Sequence, residues 1–154
     1  MVQYRFGSTA VMRYLVLCVV LSYIYAASLE SAREIFTKQM EINKKCMAEG
    51  KLNESEINAK FRIGEVPEGE EVKCLLACIM KGMGYLTDDG KIDWSVMEDI
   101  SRKQYTNPED LQWALDDSAV CSKSVPQDLG NACEVAYNAT NCFLEEARKR
   151  QAKL

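Results

Sequence analysis

The chain has 154 residues, 19 of them basic and 23 acidic, so its formal net charge is −4; this is the length of about one domain. Its Lys and Arg residues form no obvious stripe outside the C-terminal end, so a nucleic-acid partner is not expected. Histidine is absent, which excludes Ser–His–Asp and Cys–His catalysis, His-ligated zinc and an imidazole pH switch. Seven cysteines are the strongest compositional signal.

Residues 1–27 have the composition of a secretory signal peptide. Two arginines are followed by an apolar run from Tyr14 to Tyr25 and then by small residues. The run of about twelve residues is too short to span a bilayer comfortably, although a signal anchor is the alternative. We expect cleavage within a residue or two of Ala27. The mature protein is then a secreted domain over residues 28–154 that does not insert into a membrane.

The mature segment keeps six cysteines and has a net charge of −6, because the removed segment holds one cysteine and two basic residues. An even cysteine count in a secreted chain predicts three disulfides. A metal site built from the six thiolates is the alternative, but it needs a reducing compartment. We therefore predict neither a metal nor a cofactor.

Capping patterns in the mature segment predict an all-α fold. Val and Ile occur singly, without the alternation that is typical of strands. Helix starts, by contrast, recur as Ser, Asn or Asp caps and as prolines followed by acidic residues. The six predicted helices run from Ser31 to Ala48, from Asn53 to Ile63, from Pro67 to Met83, from Asp93 past Ile100, from Asn107 towards Cys121 and from Pro126 to Arg150.

The helical spacing of the cysteines limits their pairing. Cys74 and Cys78 are four residues apart, so they share one helix face with roughly parallel side chains, and a bond between them is geometrically poor. Cys133 and Cys142 are nine residues apart and lie on opposite faces of the last helix. These two exclusions leave about ten of the fifteen connectivities that six cysteines allow. Spacing alone goes no further.

The cysteine intervals resemble those of the insect odorant-binding protein family, the six-cysteine type that includes pheromone and general odorant-binding proteins. The intervening segments have 27, 3, 42, 11 and 8 residues, and that family has 3 after its second cysteine and 8 after its fifth. The local sequence is similar in Cys74-Leu-Leu-Ala-Cys78, in Leu86-Thr-Asp-Asp-Gly90, in Cys133-Glu-Val-Ala-Tyr137 and in Cys142-Phe143. The resemblance covers the whole chain and implies a compact bundle of six disulfide-bridged helices around an apolar cavity.

The resemblance also implies a disulfide pairing and an activity. The pairing is Cys46–Cys78, Cys74–Cys133 and Cys121–Cys142, which agrees with both exclusions drawn from helical spacing. The implied activity is reversible, non-enzymatic carriage of small hydrophobic molecules, such as odorants or pheromones, through an aqueous secretion to receptors. An olfactory receptor or a second copy of the chain is the implied protein partner. The alternative is a secreted helical interaction or hormone-like factor with a filled core.

Apolar residues at helical spacing are the candidate cavity wall, although each of them is also an ordinary core candidate. Hydroxyl groups on the last helix could bind an alcohol, aldehyde or ester oxygen, or else a nearby backbone carbonyl. The candidate ligand-binding residues are Leu76, Ile79, Met83, Trp94, Met97, Ile100, Leu111, Leu115, Tyr137, Thr140 and Phe143.

Two further expectations concern modification and release. Asn53 and Asn138 begin N-glycosylation sequons, but the first is also a helix cap and the second lies within a predicted helix. Only twelve residues follow Cys142, and most are charged or small, which argues against an apolar tail that enters the cavity on acidification. Without histidine, we expect ligand binding to change little between about pH 7 and pH 5.5.

Overall fold

The computed structural model describes residues 8–152, and within that range it contains six α-helices and no strand. Leu86 and Ile92 form an isolated antiparallel bridge in the loop that follows the third helix. The predicted all-α fold of six helices is confirmed. The helices are α1 (Ser8–Gly50), α2 (Glu54–Arg62), α3 (Glu70–Met83), α4 (Trp94–Gln104), α5 (Pro108–Ser124) and α6 (Ala132–Gln151).

Three helix starts follow directly from the capping residues in the sequence. The side chain of Asn53 accepts hydrogen bonds from two backbone N–H groups in the first turn of α2. Asp93 accepts one from the N–H of Val96 at the start of α4, and Asn107 caps α5 immediately before Pro108. Each cap satisfies N–H groups that have no partner within the helix. The predicted starts at these three caps are therefore confirmed.

The last helix begins six residues later than the sequence pattern predicts. It starts at Ala132 rather than at Pro126, and the side chain of Asn131 caps it by accepting a hydrogen bond of 2.9 Å from the N–H of Cys133. Gly130, just before the cap, has a φ of 65°, a left-handed conformation that interrupts any helix running through it. The predicted helix start at Pro126 was wrong because Pro126 lies in the loop between α5 and α6.

Helix α1 runs without a break through Ser31, where the capping pattern predicts a start. No glycine or proline separates Ser8 from Gly50, so nothing in the sequence ends the preceding helical segment. The side chains of residues 12–27 are all exposed. Helix α1 is long and apolar enough to cross a membrane by length and composition alone, a property that N-terminal signal sequences share. The first part of α1 thus adds nothing to the core.

Helix α3 is central to the packing, since it contacts both α1 and α6. A Cβ atom on Gly82 would lie 2.7 Å from Ile42 Cγ2, so the absence of a side chain there permits the close approach of α1 and α3. Disulfides join Cys46 to Cys78, Cys74 to Cys133 and Cys121 to Cys142, and they tie α1 to α3, α3 to α6 and α5 to α6. This is the pairing that the family resemblance implies.

Candidate ligand-binding cavity

A cavity of about 470 Å³ lies among α3, α4, α5 and α6, with Gln39 of α1 at its side. That volume falls in the range of about 300–1,000 Å³ that is usual for small-molecule sites. Its largest apolar wall comes from α3, where four residues recur at the i, i+3, i+4 and i+7 spacing of one helix face. The apolar wall consists of Leu76, Ile79, Met80, Met83, Met97, Trp113, Ala114 and Phe143.

Flexible methionine and aromatic side chains make up much of this wall. Met80, Met83 and Met97 contribute unbranched thioether side chains that adapt to ligands of different shape. Tyr105 and Trp113 line the cavity and are 39% and 37% exposed, so they mark its opening to solvent. The wall can therefore adapt its side chains to apolar molecules of different shape.

A partly buried ion pair lies at one side of the cavity. Asp117, only 7% exposed, accepts a hydrogen bond from Nη1 of Arg150 in the last turn of α6. The Arg150 guanidinium carbon is also 5.6 Å from the centroid of the Trp113 ring, a cation–π contact. A buried carboxylate needs such a partner because an unpaired charge is costly to remove from water. The pair joins the end of α6 to α5.

The hydroxyl groups that line the cavity differ in their hydrogen bonds. Ser101 donates to the carbonyl oxygen of Met97 and Thr140 to that of Ala136, each over 2.9 Å. Ser118 is 2% exposed and lines the cavity, and its hydroxyl makes no hydrogen bond to any of the described residues. The predicted role of Thr140 towards a ligand thus competes with a backbone bond, whereas Ser118 has no such competitor.

Tyr85 contributes a phenol ring to the cavity wall from the loop after α3. Burial, together with a smaller contribution from the nearby Tyr105, raises its pKa from 10.0 to about 12. The folded protein therefore holds this proton more tightly than the unfolded chain does. Stability is unaffected below about pH 10 and falls as the pH rises from there towards 12. The Tyr85 hydroxyl is neutral throughout the physiological range.

The structure brings six of the eleven predicted ligand-binding residues to the cavity. These six are Leu76, Ile79, Met83, Met97, Thr140 and Phe143. Trp94 lies behind the wall, with its ring centroid 6.2 Å from that of Phe143. Ile100, Leu111 and Leu115 are half-buried but do not line the cavity. They lie to the side of the faces that α4 and α5 turn towards the cavity.

Tyr137 also lies away from this cavity, on the side of α6 that faces Lys73. The Lys73 ammonium is 5.3 Å from the centroid of the Tyr137 ring and 2.6 Å from Glu134 Oε1. The hydrogen bond to Glu134 raises the pKa of Lys73. The Tyr137 hydroxyl is therefore not available to a molecule in the cavity, in contrast to the sequence-based expectation.

The candidate ligand-binding residues leave out twelve lining residues, most of them polar or aromatic. The missed apolar and aromatic residues are Met80, Tyr85, Tyr105, Trp113 and Ala114. The missed polar residues are Gln39, Ser101, Gln104, Asp110, Asp117, Ser118 and Arg150. On α5 the spacing of Asp110, Trp113, Ala114 and Asp117 is that of one helix face. This spacing could have identified the face of α5 that lines the cavity. An apolar pattern does not reveal it, because the face combines acidic, aromatic and small residues.

By architecture the molecule is a small disulfide-bridged helical protein with a cavity among its helices. The chain belongs to the PBP/GOBP family, whose family model matches residues 29–146. It is similar to general odorant-binding protein 28a of Drosophila melanogaster, with 33% identity over 121 residues that make up 76% of this chain and 80% of the relative. This relative is an odorant-binding protein, a member of a non-enzymatic family.

Solved structures agree with this assignment. The structure of odorant-binding protein dmelOBP28a from Drosophila melanogaster has 31% identity and a TM-score of 0.61, covering 78% of this chain and 98% of that one. Apis mellifera odorant binding protein 5 shares the fold at 22% identity and a TM-score of 0.63, over 74% of this chain and 89% of its own. Locusta migratoria odorant-binding protein lmigOBP1 also shares the fold, at 22% identity and a TM-score of 0.61, over 75% of this chain and 84% of its own.

Proposed function

We propose that the protein is an extracellular carrier, which binds small hydrophobic molecules such as odorants or pheromones reversibly and transports them through an aqueous secretion to receptors. The observation that carries this proposal is the cavity of about 470 Å³ with its methionine-rich wall. A ligand that buries about ten methylene groups gains roughly 8 kcal/mol before association costs are subtracted. We therefore expect micromolar affinity. The receptor, or a second copy of the chain, is the proposed protein partner.

Secretion is part of the proposal. Residues 1–27 combine basic residues, an apolar run and small residues at the end, and the side chains of residues 12–27 are exposed. Removal of this segment as a signal peptide leaves residues 28–154, which contain all six bridged cysteines. An oxidising extracellular compartment is the setting in which such disulfides persist.

Of the two sequons, we propose Asn53 as the one open to glycosylation. Asn53 is exposed at the start of α2. Asn138 is half-buried on α6, and its Nδ2 donates a hydrogen bond of 2.9 Å to the carbonyl oxygen of Glu134. Attachment of a glycan to Asn138 Nδ2 would break that hydrogen bond and would place the glycan at a half-buried position.

The alternative function, a hormone-like factor that acts through protein contacts alone, requires a filled core. The cavity of about 470 Å³ argues against a filled core, and therefore against this alternative. A direct test is native mass spectrometry of the secreted protein together with displacement of a fluorescent apolar probe. We expect a bound small molecule, three disulfides and probe displacement by apolar compounds. A mature chain that carries no ligand and binds no probe would refute the carrier proposal.

We predict that acidification from about pH 7 to pH 5.5 changes ligand affinity less than about threefold. The chain has no histidine, the side chain whose ordinary pKa lies in this interval. The Tyr85 phenol in the cavity wall has its pKa raised to about 12, so it keeps its proton over the whole interval. Probe titrations at the two pH values measure the ratio. A loss of more than tenfold centred near pH 6 would contradict the prediction.

A further inference from the structure

We propose that the mature protein forms a weak two-fold dimer through an exposed apolar stripe on α1, with the two copies of this helix antiparallel. The stripe consists of Leu29, Phe36 and Met40. The inference names the surface for one of the protein partners proposed above, a second copy of the chain. It rests on the proposed secretion, because removal of residues 1–27 frees this end of α1.

The three side chains of the stripe lie on one face of α1 and are open to solvent. Leu29 is 44% exposed, Phe36 60% and Met40 54%. At about 100° per residue, they lie within about 40° of one another around the helix axis. The face that contacts α3, which includes Ile42 and Cys46, is about a third of a turn away. The stripe is therefore a separate surface, and contiguous exposed apolar residues of this kind mark interaction sites.

The spacing along α1 is that of the seam between two paired helices. Residues at alternating intervals of four and three form such a seam in a coiled coil. On α1 these positions hold Leu29, Arg33, Phe36, Met40, Asn43 and Met47. An antiparallel copy in the register that places Phe36 opposite Met40 also places Leu29 opposite Met47. Each contact occurs twice across the two-fold axis, so the seam is complementary to itself.

The charged residues of the seam favour an antiparallel copy over a parallel one. In the antiparallel register Arg33 faces the neutral Asn43, and Glu30 faces Lys44 beside the seam. A parallel copy would instead place Arg33 opposite Arg33, a repulsive contact. Glu30, Arg33 and Lys44 are exposed, and none of them belongs to an ion pair among the described residues. Their charges are therefore available to a second copy.

The size of the seam predicts a weak dimer. From Leu29 to Met47 the helix face is about 27 Å long. A contact confined to one face of one helix buries less than the roughly 800 Å² per partner of a standard interface. We therefore expect a dissociation constant of about 10–100 μM. Leu29 lies next to the new N-terminus, where helices fray, so Phe36 and Met40 at the centre contribute most of the affinity.

Sedimentation velocity of the secreted protein between about 10 μM and about 1 mM tests the dimer. We expect the wild type to shift from monomer to dimer over this range. Phe36→Glu should weaken dimerisation at least about tenfold, because it places a charge at the centre of the seam. The matched control is Val120→Glu, which places the same charge on a 45% exposed apolar residue of α5. This control should dimerise like the wild type.

Charge reversal tests the antiparallel register. Glu30→Lys places lysine opposite lysine and Lys44→Glu places glutamate opposite glutamate, so each single variant should weaken dimerisation about three- to tenfold. The double variant restores opposite charges and should dimerise like the wild type. In a parallel dimer the two positions would lie about 21 Å apart along the axis, so the double variant would show no rescue.

The outcomes separate this inference from the carrier function. A wild type that stays monomeric at about 1 mM would overturn it, as would equal effects of Phe36→Glu and Val120→Glu or a double variant without rescue. A monomer that binds the fluorescent apolar probe leaves the carrier function standing, whereas a dimer that binds no probe refutes the carrier function alone. Secreted protein that keeps residues 1–27, as measured by mass spectrometry, would overturn this inference together with the proposed signal-peptide removal.

Discussion

Replacement of Cys74 and Cys133 together by alanine is expected to lower the free energy of unfolding by about 4 kcal/mol. Their disulfide spans 59 residues of sequence, the longest of the three, so its loss releases the most chain entropy in the unfolded state. It also joins α3 to α6, which both contribute to the cavity wall. We therefore expect ligand affinity to fall together with stability. Urea unfolding followed by circular dichroism measures the first effect, and probe titration measures the second.

The matched control is the disulfide between Cys121 and Cys142, which spans 21 residues. Its replacement by two alanines is expected to cost about 3 kcal/mol, less than the longer bridge. This order would be reversed if the packing around Cys121, which is fully buried, outweighed loop length. A larger loss from the shorter bridge would therefore show that packing, rather than chain entropy, sets the contribution of these disulfides.

Much of the fold is encoded locally and could be predicted from the sequence. Caps at Asn53, Asp93 and Asn107 act on N–H groups two or three residues away, so the pattern and the structure agree. The start of α6 could not be located because Pro126 and Asn131 are both plausible starts, and the left-handed turn at Gly130 decides between them. The course of α1 depends on the residues before Ser31, which the prediction set aside as a signal peptide.

The cavity was predictable only in part, because apolar periodicity identifies faces that avoid water and not the neighbours those faces meet. Apolar periodicity selected Leu111 and Leu115 on α5, whereas the face of α5 towards the cavity carries Asp117 and Ser118. Asp117 is buried because Arg150, 33 residues further along the chain, pairs with it. A contact of that kind is a property of the packed helices and leaves no local pattern in the sequence.

Filling the cavity is expected to abolish most ligand binding while the fold is retained. Ala114 lies on the cavity face of α5 and is half-buried. In Ala114→Trp the indole projects into space that a ligand would otherwise occupy, so affinity should fall by about tenfold or more. Because the ring fills a void instead of displacing packed atoms, the free energy of unfolding should change by less than about 1 kcal/mol. Probe titration and urea unfolding measure the two quantities.

Ala119→Trp provides the control, since it makes the same change on the same helix at an exposed position that does not line the cavity. We expect its ligand affinity and stability to match those of the wild-type protein. If both tryptophan variants bind the probe as the wild type does, the ligand site lies elsewhere, and the cavity among α3, α4, α5 and α6 is not where the protein carries its ligand. If only Ala114→Trp loses binding and remains folded, the loss is due to occupied cavity volume, because the two variants carry the same substitution on the same helix.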